Sequence, residues 1–156
     1  MVTLLAFLIC IGTALVGGVF FAFSTFVMKA LAQLPPAHGI GAMQRINVIV
    51  VNPLFLGLFL GTAVVAVISV VAGSVTWGTP GAALLLVAGV TYLVGSLGVT
   101  VGFNIPRNDH LASLEAESAE AASYWPVYLR EWLFWNHVRT VASASAAACA
   151  GAALLS

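Results

Sequence analysis

Apolar residues run along this chain in four long blocks, about Val2 to Met28, Ile46 to Gly73, Gly81 to Phe103 and Trp132 to Leu155. Every charged side chain except Arg139 falls between them. A hydrocarbon layer about 30 Å thick takes roughly twenty helical residues to cross, and each block is long enough. The pattern predicts an all-α, integral membrane, antiparallel four-helix bundle: one transmembrane domain over residues 1–156, with helices at about 2–28, 46–73, 81–103 and 125–155. The first block lacks a basic leader and far exceeds the roughly 7 to 15 apolar residues of a signal-peptide core, so it reads as a retained helix.

The breaks in the pattern set the connections. Pro35, Pro36, Gly39 and Gly41 make Ala30 to Ala42 a turn-rich link in which His38 reads as solvated. Asn52 and Pro53 fall inside the second block, where a proline removes a backbone donor and kinks the helix. Gly73 to Pro80 is a short uncharged turn with Trp77 as an interfacial anchor. Pro106 biases Ile105 away from helical geometry, so the third helix is expected to open over Phe103 to His110 and to present Asn104, Arg107, Asn108, Asp109 and His110 from irregular backbone. The acidic stretch Leu111 to Ser123 reads as a surface helix across the bundle mouth. Gly57 with Gly61, and Gly98 with Gly102, form GxxxG pairs suited to helix packing, with homo-oligomerisation through the same faces as the alternative.

Composition agrees with the pattern: 62% of residues are apolar and 6% charged, outside the range of soluble domains. Zero net charge and the lack of a basic tract exclude nucleic acid as a partner. Threading the four helices brings the charged residues to one side, and the positive-inside rule makes the side of Lys29, Arg45, Arg107 and Arg130 cytoplasmic. Both termini are then outside a multi-pass cell-membrane protein. Cys10 and Cys149 sit in the first and last apolar blocks at similar depth and read as small buried hydrophobes.

Candidate chemistry concentrates in Trp125 to Arg139. On a helix, Trp132, Trp135, Asn136, Arg139 and Ser143 share one face, with His137 on a neighbouring flank. An ionisable group at membrane depth costs about 2.5 to 3.5 kcal/mol on insertion scales, so this face is expected to look into a bundle or cavity. The competing reading is an interfacial aromatic belt with a snorkelling arginine. In the first helix, Gly17, Phe21, Ser24 and Met28 follow helical spacing, as pocket wall or as plain core. In the second, Gln44, Asn47 and Val51 share a face with Phe55 just round from them, as ligand contacts or as interhelical glue.

The segments FFAFSTFVMKAL (Phe20 to Leu31), AMQRIN (Ala42 to Asn47), NIPRN (Asn104 to Asn108) and the Trp132 to Arg139 ending in NHVR together resemble a small four-helix membrane family that includes the anthrone oxygenases of aromatic polyketide pathways. The resemblance spans nearly the whole chain. It implies a monooxygenase that acts on a flat aromatic substrate with molecular oxygen and without a cofactor, since an ionised anthrone can itself reduce oxygen. On that reading His137 is the catalytic base and Arg139 stabilises the enolate oxygen, with Asn104 and Asn108 completing the catalytic group. Phe20, Phe21, Ser24, Gln44, Asn47, Trp132, Trp135 and Asn136 contact the substrate.

Two other readings stay open. A metal-dependent oxidoreductase would use His110 and His137 with Asp109 or Glu131, although no strong ligand spacing such as HxxxH is present. A non-catalytic accessory subunit would use the polar mouth to bind a lipid or a partner helix. The discriminator is a cavity: an enzyme needs a closed pocket, whereas an accessory subunit pairs its polar residues with one another. A transporter is disfavoured, because polar groups gathered at one end offer no path across.

Overall fold

The computed structural model describes residues 1–156 and is all-helical. Its helices are α1 (Val2–Ala32), α2 (Pro36–Ile49), α3 (Pro53–Val75), α4 (Ala82–Ala112) and α5 (Ala119–Ala153). Helices α1, α3 and α4 are long and apolar enough to cross a membrane, consistent with a membrane protein. Helix α5 is longer still, but Asn136, His137 and Arg139 dilute its apolar run.

The four long helices form a ring in which α1 and α4 each touch both α3 and α5, while α3 and α5 stand diagonally apart. All neighbours run antiparallel. Every charged side chain except Arg139 lies at the end where α1 and α4 finish and α3 and α5 begin. Helix α2 crosses that end, packed on α1, α4 and α5. At 35 residues, α5 extends for about 52 Å at the helical rise, so its first turns project beyond any hydrocarbon layer beneath α2.

Three sequence expectations are corrected. The second apolar block is two helices and not one kinked helix. Asn52 adopts an extended backbone (φ −125°, ψ 159°), and its side-chain oxygen accepts from Leu54 N–H at 3.1 Å and Phe55 N–H at 3.0 Å. It is the N-cap of α3, and Pro53 occupies the first turn, where its missing N–H costs nothing.

The third helix does not open at Phe103 to His110 but continues through Pro106 to Ala112. Two π-helical turns, Leu93–Gly98 and Thr100–Asn104, precede the proline, which then falls in the first turn of a new α-helical segment. There the proline displaces no needed hydrogen bond. The acidic stretch, finally, is a turn over Ser113–Ser118 and not a surface helix of its own; Ser118 Oγ caps α5 by accepting from Ala121 N–H at 3.1 Å.

Close packing uses other glycines than the GxxxG pairs. A Cβ on Gly89 would lie 2.6 Å from the Ala66 carbonyl oxygen, and one on Gly73 the same distance from that of Ala82, so α3 and α4 meet backbone to backbone near their hairpin. Gly12 lies against Thr62, and Gly95 against Ala142. Gly57, Gly61 and Gly102 have nothing within 4 Å, and Gly98 only an oxygen of its own helix. The GxxxG faces look outward. Both cysteines are free and half-buried, and the Cys10 thiol donates to the Ala147 carbonyl across the α1/α5 contact.

Candidate functional site

The apolar core divides in two. One cluster, including Ile9, Phe59, Tyr92 and Ala150, fills the uncharged part of the ring. The other, including Met28, Met43, Trp125 and Trp132, fills the space beneath α2. Between them lies a cavity of about 510 Å³, walled by α1, α2, α3 and α4 and floored by the aromatic face of α5. That volume is in the range of small-molecule sites, as is a mainly hydrophobic lining with a few polar groups.

Its floor is Trp132, Asn136 and Arg139, one face of α5 as the spacing predicts. Arg139 is 5% exposed. Its guanidinium carbon stands 4.2 Å from the Phe20 ring centre and 5.2 Å from that of Trp132, a cation held between two aromatic faces. One terminal nitrogen donates to Asn136 Oδ1 at 2.8 Å and the other to Thr100 Oγ1 at 3.2 Å. Nε has no partner. Asn136, fully buried, fixes this geometry by donating through Nδ2 to the Phe20 carbonyl and to Ser24 Oγ, both at 2.8 Å. Arginine is therefore held inside the bundle without a carboxylate, and it does not snorkel.

The π turns explain how the neighbours reach it. A π turn widens the helix and shifts the faces of the residues around it. In α1 the turn Phe23–Val27 brings Phe23 to the cavity wall and Ser24 to Asn136. In α4 the paired turns bring Leu97 and Thr100 to the wall, with Ser96 bonded to Ser143.

Helix α2 supplies Gln44 and Asn47. Gln44 Nε2 donates to the Leu111 and Leu114 carbonyls, both at 2.9 Å, fastening α2 to the end of α4. Asn47 Nδ2 is buried and unpaired, as is Trp132 Nε1. Three cavity-lining residues, Asn47, Trp132 and Arg139, thus carry a buried N–H donor without an acceptor. Such groups are rare and costly in a folded chain, at about 1–3 kcal/mol each.

Other residues named from the sequence fall around this centre to different degrees. Phe20 and Asn108 line the cavity, and Asn108 accepts from the Tyr128 hydroxyl at 2.9 Å. Asn104 is buried behind the wall, donating to the Trp132 carbonyl at 3.2 Å; it positions α5 without reaching the cavity. Trp135 lies against Phe103 with ring centres 3.6 Å apart, outside the cavity, and Phe21 is 57% exposed on the outer face of α1. His137 is exposed on a flank of α5 that does not border the cavity. One helical step separates it from the buried Asn136, and that step turns it outward.

The residues of the metal reading do not converge. His110 packs edge-on against Tyr124, and Glu131 accepts two hydrogen bonds from Arg107, at 3.1 and 2.9 Å. No three His, Cys, Asp or Glu side chains come together as a ligand set.

Sequence reasoning missed Thr100, Phe59 and the place of Asp109, which is the one carboxylate on the cavity lining. Nothing in the sequence marks a π turn, so Thr100 had no visible reason to face Arg139.

No curated protein and no solved structure matches this chain. Residues 50–149, spanning α3, α4 and most of α5 with the Arg139 floor, match the family model described as anthrone oxygenase. The chain belongs to the anthrone oxygenase family.

Proposed function

We propose that the cavity binds a flat aromatic ketone of the anthrone class and directs its oxidation by molecular oxygen to the corresponding quinone. The observation that carries this reading is the set of unpaired N–H donors on Asn47, Trp132 and Arg139 around an otherwise aromatic and aliphatic cavity. A ligand that satisfies them presents acceptor oxygens on an apolar frame. An anthrone is such a molecule.

The chemistry needs a base and a stabiliser for the enolate. Loss of a benzylic proton leaves a delocalised anion whose charge rests on the ketone oxygen, and a guanidinium fixed beforehand stabilises that charge without reorganising. Arg139 is fixed by Asn136 and Thr100 and sits in an aromatic setting where its field is weakly screened. Asp109, at the cavity edge, takes the proton directly or through water.

The anion gives one electron to oxygen, the two radicals combine, and a carbon–oxygen bond forms at the benzylic carbon. Loss of the second benzylic proton breaks the O–O bond. One oxygen atom remains as the new carbonyl and the other leaves as water. The substrate supplies all the electrons, so the reaction calls for no flavin or metal.

Purified protein given anthrone and isotopically labelled oxygen is expected to form anthraquinone carrying one labelled atom, at a rate that chelators leave unchanged. Formation no faster than in buffer, or loss of activity when a bound metal is stripped, would overturn the assignment.

A further inference from the structure

We infer that the cavity is loaded sideways from the membrane interior, through a gap between the first half of α3 and the last half of α4, so that the ligand is a membrane-dissolved hydrophobic molecule and not one delivered from water. The inference deepens the proposed reading of the cavity as a substrate site, and its geometry comes from how the two helices part.

Near their hairpin α3 and α4 are in backbone contact at Gly73 and Gly89, the Tyr92 hydroxyl then donates to the Phe59 carbonyl at 2.9 Å, and the contact continues along Leu93–Gly98. Beyond it they separate: no Cα of Pro53–Val75 lies within 8 Å of any Cα of Thr100–Ala112. The opening this leaves is apolar. Val51, Leu60, Val101 and Ile105 line the cavity, yet they are 64%, 49%, 58% and 42% exposed on the outer surface. Residues that are at once cavity wall and outer surface mark a mouth.

Leu60 and Val101 belong to two of the three helices that are long and apolar enough to cross a membrane, so this mouth faces lipid chains. At the charged end the cavity also reaches the outer surface, at Val48, Asp109 and Ala112, but the elements around that polar opening are tied together. Gln44 ties α2 to the Leu111 and Leu114 carbonyls, the Tyr128 hydroxyl bonds Asn108, and Arg107 pairs with Glu131 at 2.9 Å.

The sideways route is also the cheaper one for the proposed ligand. A fused aromatic ketone partitions into hydrocarbon by burying apolar area, at about 25 cal/mol per Å². Passing directly from lipid to the cavity exposes none of that area to water.

The test is a cysteine at Leu97, a half-buried wall position, as Leu97→Cys in a Cys10→Ala, Cys149→Ala background, reconstituted in phosphatidylcholine vesicles. A pyrene maleimide, which dissolves in the bilayer, and a sulfonated maleimide present on both sides of the membrane are compared. The apolar reagent is expected to label roughly tenfold faster or more, because a charged group crosses an apolar mouth poorly. Adding Leu60→Trp and Val101→Trp at the rim, where exposure leaves room for the indoles, is expected to slow that labelling by a further factor of roughly ten.

Equal or faster labelling by the charged reagent would overturn the inference in favour of the aqueous end, as would rim tryptophans that leave the apolar rate unchanged. The labelling uses no anthrone. A protein that passes it but oxidises no anthrone keeps the lateral mouth and loses the substrate assignment.

Discussion

Replacing Arg139 with leucine is expected to lower anthrone turnover by roughly 100- to 1,000-fold, the usual cost of removing one preorganised donor from a developing oxyanion. The fold should persist. The lost side chain has no carboxylate partner to strand, and leucine suits a pocket between Phe20 and Trp132. The damage is confined to Asn136 Oδ1 and Thr100 Oγ1, which lose their guanidinium donors; an unsatisfied buried acceptor costs about 1–3 kcal/mol. Arg139→Lys separates charge from shape: it retains the cation but loses the planar fork and the stacked geometry, so turnover should fall between that of the leucine variant and the native protein. The check is kcat with the thermal midpoint in detergent measured beside it. A leucine variant that folds and keeps native kcat would remove Arg139 from the chemistry.

The second large effect is assigned to Asp109, and it distinguishes the structure from the sequence. Asp109→Asn keeps the size and removes the base, with an expected loss of about 100- to 10,000-fold in turnover, the range of general-base catalysis. The sequence alone points instead to His137, the one histidine beside the Trp/Asn/Arg face, but that side chain is exposed on a flank away from the cavity. His137→Ala is therefore expected to leave kcat unchanged. Because Asp109 acts on the proton and is absent from the donor set, KM should move little in Asp109→Asn, whereas changes at Trp132 should act mainly on KM. The reverse pattern, with His137→Ala inactive and Asp109→Asn unaffected, would return the base to α5.

What the sequence reveals follows from which forces leave a periodic trace. Apolar runs with charged breaks identify the helical membrane bundle, and the i, i+4, i+7 spacing places Trp132, Asn136 and Arg139 on one buried face. The same logic puts Gln44, Asn47, Val51 and Phe55 together, and all four line the cavity although the helix stops between them.

Features that depend on local hydrogen bonding or on where a neighbour lies are not legible in this way. Asn52 before Pro53 reads equally as a kinked helix or as a capped new one, and only the extended backbone of Asn52 decides. Pro106 reads as a break because a regular α-helix has no place for it, whereas a π turn just ahead of it does. Trp135 fits the helical face by spacing, yet it lies outside the cavity with its ring stacked on Phe103. The glycine pairs carry a packing motif, but packing fell to Gly73 and Gly89 because α3 and α4 meet near their hairpin and part beyond it.

The central claim, that the Arg139 cavity holds the anion of an aromatic ketone, is tested most directly in the absence of oxygen. Anthrone mixed anaerobically with purified protein is expected to develop the long-wavelength absorption of its delocalised anion at a pH where the free compound remains the ketone. The band should saturate at one equivalent of protein, vanish into the quinone spectrum when oxygen is admitted, and fail to form with Arg139→Leu. Anthrone that binds with an unchanged ketone spectrum, or an anion band equally strong in the Arg139→Leu protein, would contradict the account.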